Sequence, residues 1–346
     1  MNFFRQNIQD MSPYVPGLQL NDPDIIKLNT NENPFPPSNT VLNAVREGVN
    51  TSLRLYPNPT SDTLRDTLAF TYSLKREQII VGNGSDEVLA MIMRACVAPG
   101  DNVLLFYPTY SLYDVLAYAN DATITEIELD ESFNIPDKAF GVKARLCYLP
   151  NPNVPAGNYI DKQTIIRLAE SIGGLLVIDE AYVDFAEQSC IDLVEKYNNI
   201  VVTRTFSKSF SLAGMRIGYA VAKPSVIAGV MKVKDSYNLD RISEIAATAS
   251  IRDLAEIKKR CSYIKHVRDN TAQRLRSMNF HVLPSQTNFL FVKPPGVDAE
   301  YLYEALLNRK ILVRFFNQCR VKEYLRITIG MQEDMDILIS TLKELL

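Results

Sequence analysis

The chain has 346 residues, 47% of them apolar and 22% charged, a globular balance that excludes disordered and fibrous classes. Lys and Arg number 37 against 40 Asp and Glu, a net charge of −3, so no basic excess points to nucleic acid. The densest basic run, Lys258-Lys259-Arg260, reads as a solvated helix face. At roughly 100–200 residues per domain the length predicts about two domains, with room for a core that needs neither disulfides nor metals. The five cysteines, Cys96, Cys147, Cys190, Cys261 and Cys319, are odd in number and widely spaced, which argues against a disulfide framework or a zinc site and fits a reducing compartment. Only His266 and His281 are available to a His-rich metal centre. The N-terminus lacks a basic segment followed by an apolar one, and no run approaches the roughly 18 apolar residues of a membrane span. A cytoplasmic protein with no membrane or nucleic-acid partner is expected.

Residues 1–37 are rich in Pro and Asn (SPYVPG, KLNTNENPFPPS) and predict an extended arm outside the core. NTVLNAVREGV and TSDTLRDTLAFTYSL predict capped helices. Strands and helices then alternate. QIIVGNG precedes the helix SDEVLAMIMRACV, and NVLLFYP precedes TYSLYDVLAYA. ARLCYLP, the helix TIIRLAESI and GLLVIDEAY follow. NIVVTRTFS predicts a strand followed by a helix, and RIGYAVA another strand. This spacing predicts an α/β fold with a mostly parallel sheet covered on both faces, its ligands at the carboxyl ends of the strands. Past about residue 235 the pattern changes. Long charged helices precede the strand-like FHVLP, NFLFVKP, ILVRFF and EYLRITIG, and MDILISTLKELL predicts the last helix. The expected division is an arm (1–37), a large domain (38–245) and a smaller α+β domain (246–346).

Polar residues at strand ends carry the candidate chemistry. GNGSDE (82–87) follows a strand and opens a helix, where backbone N–H groups bind anions; it also fits an ordinary turn capped by Ser85 or Asp86. Asp179 ends a near-continuous apolar strand, where a carboxylate needs a partner, be it a cofactor, a helix terminus or a salt bridge. Lys208 lies just past another strand end, beside Ser207 and followed by Arg216; alone it fits a solvated loop charge. Together the set suits a cofactor with a phosphate, a basic ring nitrogen and an aldehyde. That cofactor is pyridoxal 5′-phosphate (PLP), whose aldehyde condenses with a lysine and whose ring nitrogen faces an acid.

The pattern T-x-S-K-x-x-x-L-A-G-x-R-x-G at 205–218 resembles the lysine signature of the class I/II, fold type I PLP-dependent aminotransferases. Within them the chain is similar to the histidinol-phosphate aminotransferases. The likeness rests on Y-x-P-G (14–17), N-E-N-P (31–34), L-Y-P (55–57), G-N-G-S-D-E (82–87) and Y-P-T-Y (107–110). D-E-A-Y (179–182), V-R-F (313–315) and L-R-I-T-I-G (325–330) extend it over almost the whole chain. The resemblance implies that Lys208 holds PLP and shuttles the substrate proton, that Asp179 pairs with the ring nitrogen, that Tyr182 donates to the phenolic oxygen and that Tyr110 stacks on the ring. It implies a phosphate cup of Gly84, Ser85 and Asp86 main chain with Ser207, Arg216 and Thr205. It also implies that Tyr56 reaches the phosphate of a partner subunit, hence a homodimer with composite sites, its arm packed on the small domain or the partner. Arg314 and Arg326 are the implied substrate anchors, with Tyr14, Asn33 and Asn288 beside them. Arg326 equally fits an ion pair with a neighbouring acid, and Asn288 a turn.

One departure stands out. The family reads P-N-N-P-T-G, whereas this chain has Pro152-Asn153-Val154-Pro155-Ala156-Gly157. Valine cannot donate to the phenolic oxygen, so either Asn153 serves instead or the contact is lost. The implied activity converts histidinol phosphate and 2-oxoglutarate into imidazole-acetol phosphate and glutamate. Threonine-phosphate decarboxylase or an aromatic aminotransferase are the alternatives on the same fold. A non-catalytic PLP-fold regulator fits less well, because the lysine is intact and no room is expected for an N-terminal DNA-binding domain.

Overall fold

The computed structural model describes residues 3–20 and 22–346. Met1 and Asn2, at the N-terminus read for a signal peptide, and Asn21 of the predicted arm lie outside the described residues. The arm begins with α1 (Gln6–Asp10), beside which Arg5 pairs with Asp121 at 2.6 Å and Asn7 donates to the Tyr118 carbonyl. Its second half packs on the small-domain residues, one of the two expected placements, but it also contributes to the core, contrary to the expectation of an arm outside it. There β1 (Ile26–Lys27) pairs in parallel with residues 311–312, and Leu28, 1% exposed, joins the main apolar cluster.

Helix α2 (Asn39–Gly48) starts at Ser38, whose side chain accepts from the Val41 N–H, the usual way a serine satisfies a first-turn donor. Helix α3 (Asp62–Tyr72) follows. The alternating region holds β2 (Ile79–Asn83), α4 (Gly84–Cys96), β3 (Asn102–Tyr107), α5 (Leu112–Ala119) and β4 (Thr123–Glu128). It continues with β5 (Leu146–Pro150), α6 (Lys162–Ile172), β6 (Leu175–Asp179), β7 (Ile200–Thr205), β8 (Ile217–Val221) and α7 (Pro224–Met231). The strands form one seven-stranded sheet in the order β2-β8-β7-β6-β5-β3-β4. Only β8 runs against its neighbours, so β2 and β7 point the same way as the rest. Every residue of β5, β7 and β8 is buried, as a sheet covered on both faces requires.

Several elements escape the sequence reading, among them α1, β1, β4 and α7, and one is corrected. The edge strand β4 has a largely solvent-exposed TITEIE sequence, which lacks the apolar run of a central strand. The helix over Ala299–Asn308 also escapes that reading, lying between two strand-like segments. The helix expected between β7 and β8 is instead a short 3₁₀ turn, Ala213–Met215. Antiparallel neighbours need no crossover helix, and the Ser-rich SKSFS segment competes for its own backbone groups.

The C-terminal part contains α8 (Arg241–Arg252), α9 (Leu254–Ser277), β9 (His281–Val282), β10 (Phe289–Lys293), α10 (Ala299–Asn308) and β11 (Ile311–Leu312). It ends with β12 (Arg314–Phe315), β13 (Leu325–Thr328) and α11 (Gln332–Leu345). A four-stranded antiparallel sheet, β12-β13-β10-β9, sets Arg314 directly across from Arg326. Among the described residues all five cysteines are free and no helix is long and apolar enough to cross a membrane.

Candidate active site

A cavity of about 1020 Å³ opens at the carboxyl ends of the large sheet's strands, where parallel strands leave their loops free to carry function. Strand β6 delivers Asp179 into it. Four aliphatic residues precede this carboxylate, which is only 5% exposed. Its partners are neutral: Tyr113 Oη donates to Oδ2 at 2.8 Å and Thr203 Oγ1 to Oδ1 at 3.2 Å. Neither the helix cap nor the salt bridge open from sequence forms. Burial raises the Asp179 carboxyl to about 6, against the two hydroxyl donors, which favour the anion.

Strand β7 ends at Thr205, and the tight loop after it brings Lys208 into the same cavity. Lys208 Nζ donates to the Thr30 carbonyl at 3.0 Å and lies 5.8 Å from the centre of the Tyr182 ring. Burial, followed by the positive charge of Arg326, lowers this amine from 10.5 to about 8, while Glu32 and Asp86 oppose the shift.

The start of α4 could form a cradle for an anion. Its cap residue Asn83 makes no side-chain bond to the first turn, leaving helix donors without the usual side-chain acceptor. Strand β8 presses close: a Cβ on Gly218 would stand 2.3 Å from the Ser85 nitrogen. Arg216 returns over the cradle with a left-handed backbone (φ +51°). Its Nη2 lies 2.8 Å from Asp86 Oδ2 and its Nη1 3.5 Å from Ser207 Oγ. Glycine is favoured at position 84 by its positive φ of +82°, which side-chain-bearing residues rarely adopt. Thr205 Oγ1 donates to Ser207 Oγ at 3.0 Å. The sequence reading used only the main chain of Asp86; its carboxylate in fact holds Arg216.

Aromatic residues line the walls. Tyr110 meets Tyr14 edge-on at 5.6 Å and Tyr113 at 5.5 Å. Tyr182 is buried, and its Oη lies 2.9 Å from Asn31 Nδ2. Burial raises its phenol above the ordinary value, while Arg326 and the Asn31 contact pull the other way. Arg314 donates to the Val15 and Pro16 carbonyls at 3.1 and 3.2 Å. Arg326 donates to the Asn29 carbonyl at 3.0 Å, sits over the rings of Phe289 and Phe316, and has a buried Nε without a partner. No acid pairs with either arginine among the described residues, so the ion-pair alternative for Arg326 is not what forms. Burial and the facing Arg314 both lower the Arg326 pKa. Two adjacent guanidiniums served only by carbonyls and ring faces favour an incoming anion.

Five of the expected site residues, Gly84 among them, lie outside the cavity lining. Asn33 donates to the carbonyls of Lys208 and Ser209, fixing the lysine loop from behind. Asn288 donates to the Asn31 carbonyl. Asn153 is buried, with Oδ1 accepting from the Val154 N–H and Nδ2 unpartnered, so Val154 and Pro155 line the cavity in its place. Tyr56 is 77% exposed and stacks on Tyr237 at 4.4 Å. The sequence reading missed Thr30, Asn31, Tyr113 and Thr203. The first two belong to the Asn-rich arm, and the others hide on an apolar helix face and inside an apolar strand.

The residues present fit a phosphorylated pyridine aldehyde. The helix start, Ser207 and Arg216 match a phosphate, Asp179 a ring nitrogen, Tyr110 a ring face and Lys208 an aldehyde. Comparison with known proteins agrees. The profile of the family "Aminotransferase class I and II" matches residues 23–342. A histidinol-phosphate aminotransferase of Citrifermentans bemidjiense is 44% identical over 99% of this chain and 98% of its own. Histidinol-phosphate aminotransferase 1 of Trichormus variabilis is 42% identical over 100% and 99%. In fold, the chain superposes on the histidinol-phosphate aminotransferase of Sinorhizobium meliloti, solved with pyridoxal-5′-phosphate, with a TM-score of 0.87 at 24% identity, covering 100% of this chain and 99% of that one. The chain belongs to the class I and II aminotransferases.

Proposed function

We propose that this aminotransferase uses PLP to move the amino group of histidinol phosphate to 2-oxoglutarate. The observation that carries the reading is a single cavity joining a lysine lowered to about 8, a buried carboxylate and an uncapped helix start beside Arg216. The named relatives at 44% and 42% identity support the donor. When bound, PLP supplies an aldehyde that exchanges amines and a ring that accepts the charge left when the substrate's Cα proton departs.

The chain's own residues do the rest. Burial lowers the Lys208 amine to about 8, which favours its neutral, proton-accepting form relative to an exposed lysine. That free amine takes the proton from the substrate's Cα and returns it at the neighbouring position, general acid–base work by a positioned group. Asp179, held by Tyr113 and Thr203, would pair with the ring nitrogen of the bound cofactor and favour its protonated form, and that positive partner would in turn favour an ionised Asp179. Arg314 and Arg326 grip the donor phosphate in one half-reaction and the carboxylates of 2-oxoglutarate in the other. Their planar forks suit both anions.

The exposed Tyr56–Tyr237 stack, with Leu53 and Leu55 exposed beside it, supports a homodimer in which Tyr56 completes the partner's site. Free cysteines support a cytoplasmic setting. Borohydride treatment of the loaded protein, followed by peptide mapping, tests the core of the reading. The cofactor label is expected on Lys208 alone, and a label on another lysine overturns the assignment.

A further inference from the structure

Residues Thr30 and Asn31 touch the two reactive side chains of the cavity from one short piece of arm. The Thr30 carbonyl accepts from Lys208 Nζ, and the Asn31 amide meets Tyr182 Oη. Asn31 is 1% exposed and sits in the left-handed region at φ +57°, which asparagine tolerates better than other non-glycine residues. Its backbone is held from the far side. Asn288 Nδ2 donates to its carbonyl, and its own N–H donates to Thr328 Oγ1 at 3.0 Å. Thr328 lies on β13, in the small sheet, whereas Tyr182 follows β6 of the large one.

The network fixes which way the amide faces. Thr328 Oγ1 already accepts from the Asn31 N–H, and its own proton goes to Asn31 Oδ1 at 3.0 Å. Turning the amide over would take that acceptor from a hydroxyl that is 3% exposed, leaving a buried donor unpaired. Asn31 Nδ2 therefore faces Tyr182 and donates, so the Tyr182 oxygen is an acceptor in this contact. Its single proton must point elsewhere. We infer that Asn31 is a positioning residue: oriented by Thr328, it occupies a lone pair of the Tyr182 hydroxyl and leaves the phenolic proton to be donated into the cavity that holds Lys208. This deepens the proposed function and rests on it, because the acceptor in the cavity is the phenolic oxygen of PLP. It also gives the Val154 position a physical counterpart: with no donor at Val154, Tyr182 is the hydroxyl left to serve that oxygen, and Asn31 aims it.

The charged groups around the hydroxyl are Arg326, Asp179 and Lys208; changing Thr328 alters none of them, whereas Asn31→Asp adds a carboxylate whose direct effect is read on the Tyr182→Phe background. Asn31→Asp keeps size and backbone preference but offers an oxygen where Nδ2 stood, which draws the Tyr182 proton out of the cavity. The measurement is the pH midpoint of the visible band of the loaded protein, with the cofactor dissociation constant measured alongside. Asn31→Asp is expected to raise the midpoint by about one pH unit, the scale of one hydrogen bond to one protonation state. Tyr182→Phe is expected to raise it similarly, and the double variant by less than the sum of the two. Thr328→Val, which frees the amide to turn, should shift the midpoint the same way, and Thr328→Ser, which keeps the hydroxyl, should restore it. An unmoved midpoint in both Asn31→Asp and Thr328→Val, while Tyr182→Phe moves it, overturns the inference and leaves the function standing. An Asn31→Asp shift that persists in full on the Tyr182→Phe background also overturns it, since the effect then bypasses Tyr182. A wild-type protein that forms no visible band with PLP overturns the functional reading and the inference together.

Discussion

Asp179 and Lys208 are both shifted toward their neutral forms, Asp179 up to about 6 and Lys208 down to about 8. For Asp179 a raised folded-state pKa means stability that is full below the ordinary value near 3.8 and lost as pH rises through about 6. Cofactor-free Asp179→Asn is therefore expected to be more stable than wild type above pH 6, by on the order of 1 kcal/mol or more. The same substitution should lower transamination about 100-fold or further, because an amide cannot pair with a positive ring nitrogen. Thermal melts of the cofactor-free protein and turnover of the loaded protein check the two halves; near-normal turnover would remove Asp179 from its role. Lys208 makes the mirror statement. Its neutral form is the reactive one, so acylation of Lys208 in cofactor-free protein should rise with a midpoint near pH 8, where exposed lysines still resist. A midpoint close to the ordinary 10.5 would mean that the cavity does not desolvate the amine. Asp179 was legible in the sequence because a carboxylate ending an aliphatic strand breaks a local rule, whereas Lys208 alone reads as a solvated loop charge and stood out only with its neighbours Ser207 and Arg216. Thr30 and Asn31 break no such rule, since an Asn-rich arm reads as irregular backbone, and their contacts with Lys208 and Tyr182 join segments far apart in the chain.

Among the elements, the strand-and-helix alternation was readable wherever strands were buried on both faces, as in β5 and β7. It failed at β4, whose edge position lets polar residues alternate with apolar ones. It failed again between β7 and β8, where Phe206 N–H bonds the Ile217 carbonyl and the chain doubles back without a helix. That return is what brings Arg216 over the start of α4, so the element the sequence misread is the one that builds the anion cradle. The contact between β8 and α4 has almost no slack. Gly218→Ala should push backbone against backbone at Ser85, costing about 1–3 kcal/mol of stability and weakening cofactor binding by the displaced cradle. Gly214→Ala, which meets nothing within 4 Å in the same loop, is the control and should be silent in both melting and cofactor titration. Equal effects from the two would separate the cradle from the tight packing of β8.

At the scale of the whole molecule, the cavity draws on the large sheet, the small sheet and the arm. Arg314 joins the last two by holding the Val15 and Pro16 carbonyls. A second copy completes it in the proposed dimer, because Tyr56 is exposed and does not line its own cavity. Mixing inactive Tyr56→Ala chains with inactive Lys208→Ala chains should then restore about a quarter of wild-type activity, since half of randomly paired dimers carry one intact composite site. No recovery after verified exchange of subunits would contradict shared sites. The substrate claim rests on the two arginines that lack acids. Each charge-assisted contact to phosphate contributes about 1.5–3 kcal/mol, so Arg314→Ala should reduce kcat/KM for histidinol phosphate about 10- to 100-fold while barely changing that for unphosphorylated histidinol. The most direct test of the whole account is a single half-reaction on the wild-type loaded protein. Histidinol phosphate is mixed with it in the absence of acceptor, the visible band is followed, and 2-oxoglutarate is then added. The account predicts loss of the band with histidinol phosphate, a far slower loss with histidinol, and full return with 2-oxoglutarate. Faster loss with unphosphorylated aromatic amino acids, or release of carbon dioxide from threonine phosphate without amine transfer, would contradict it.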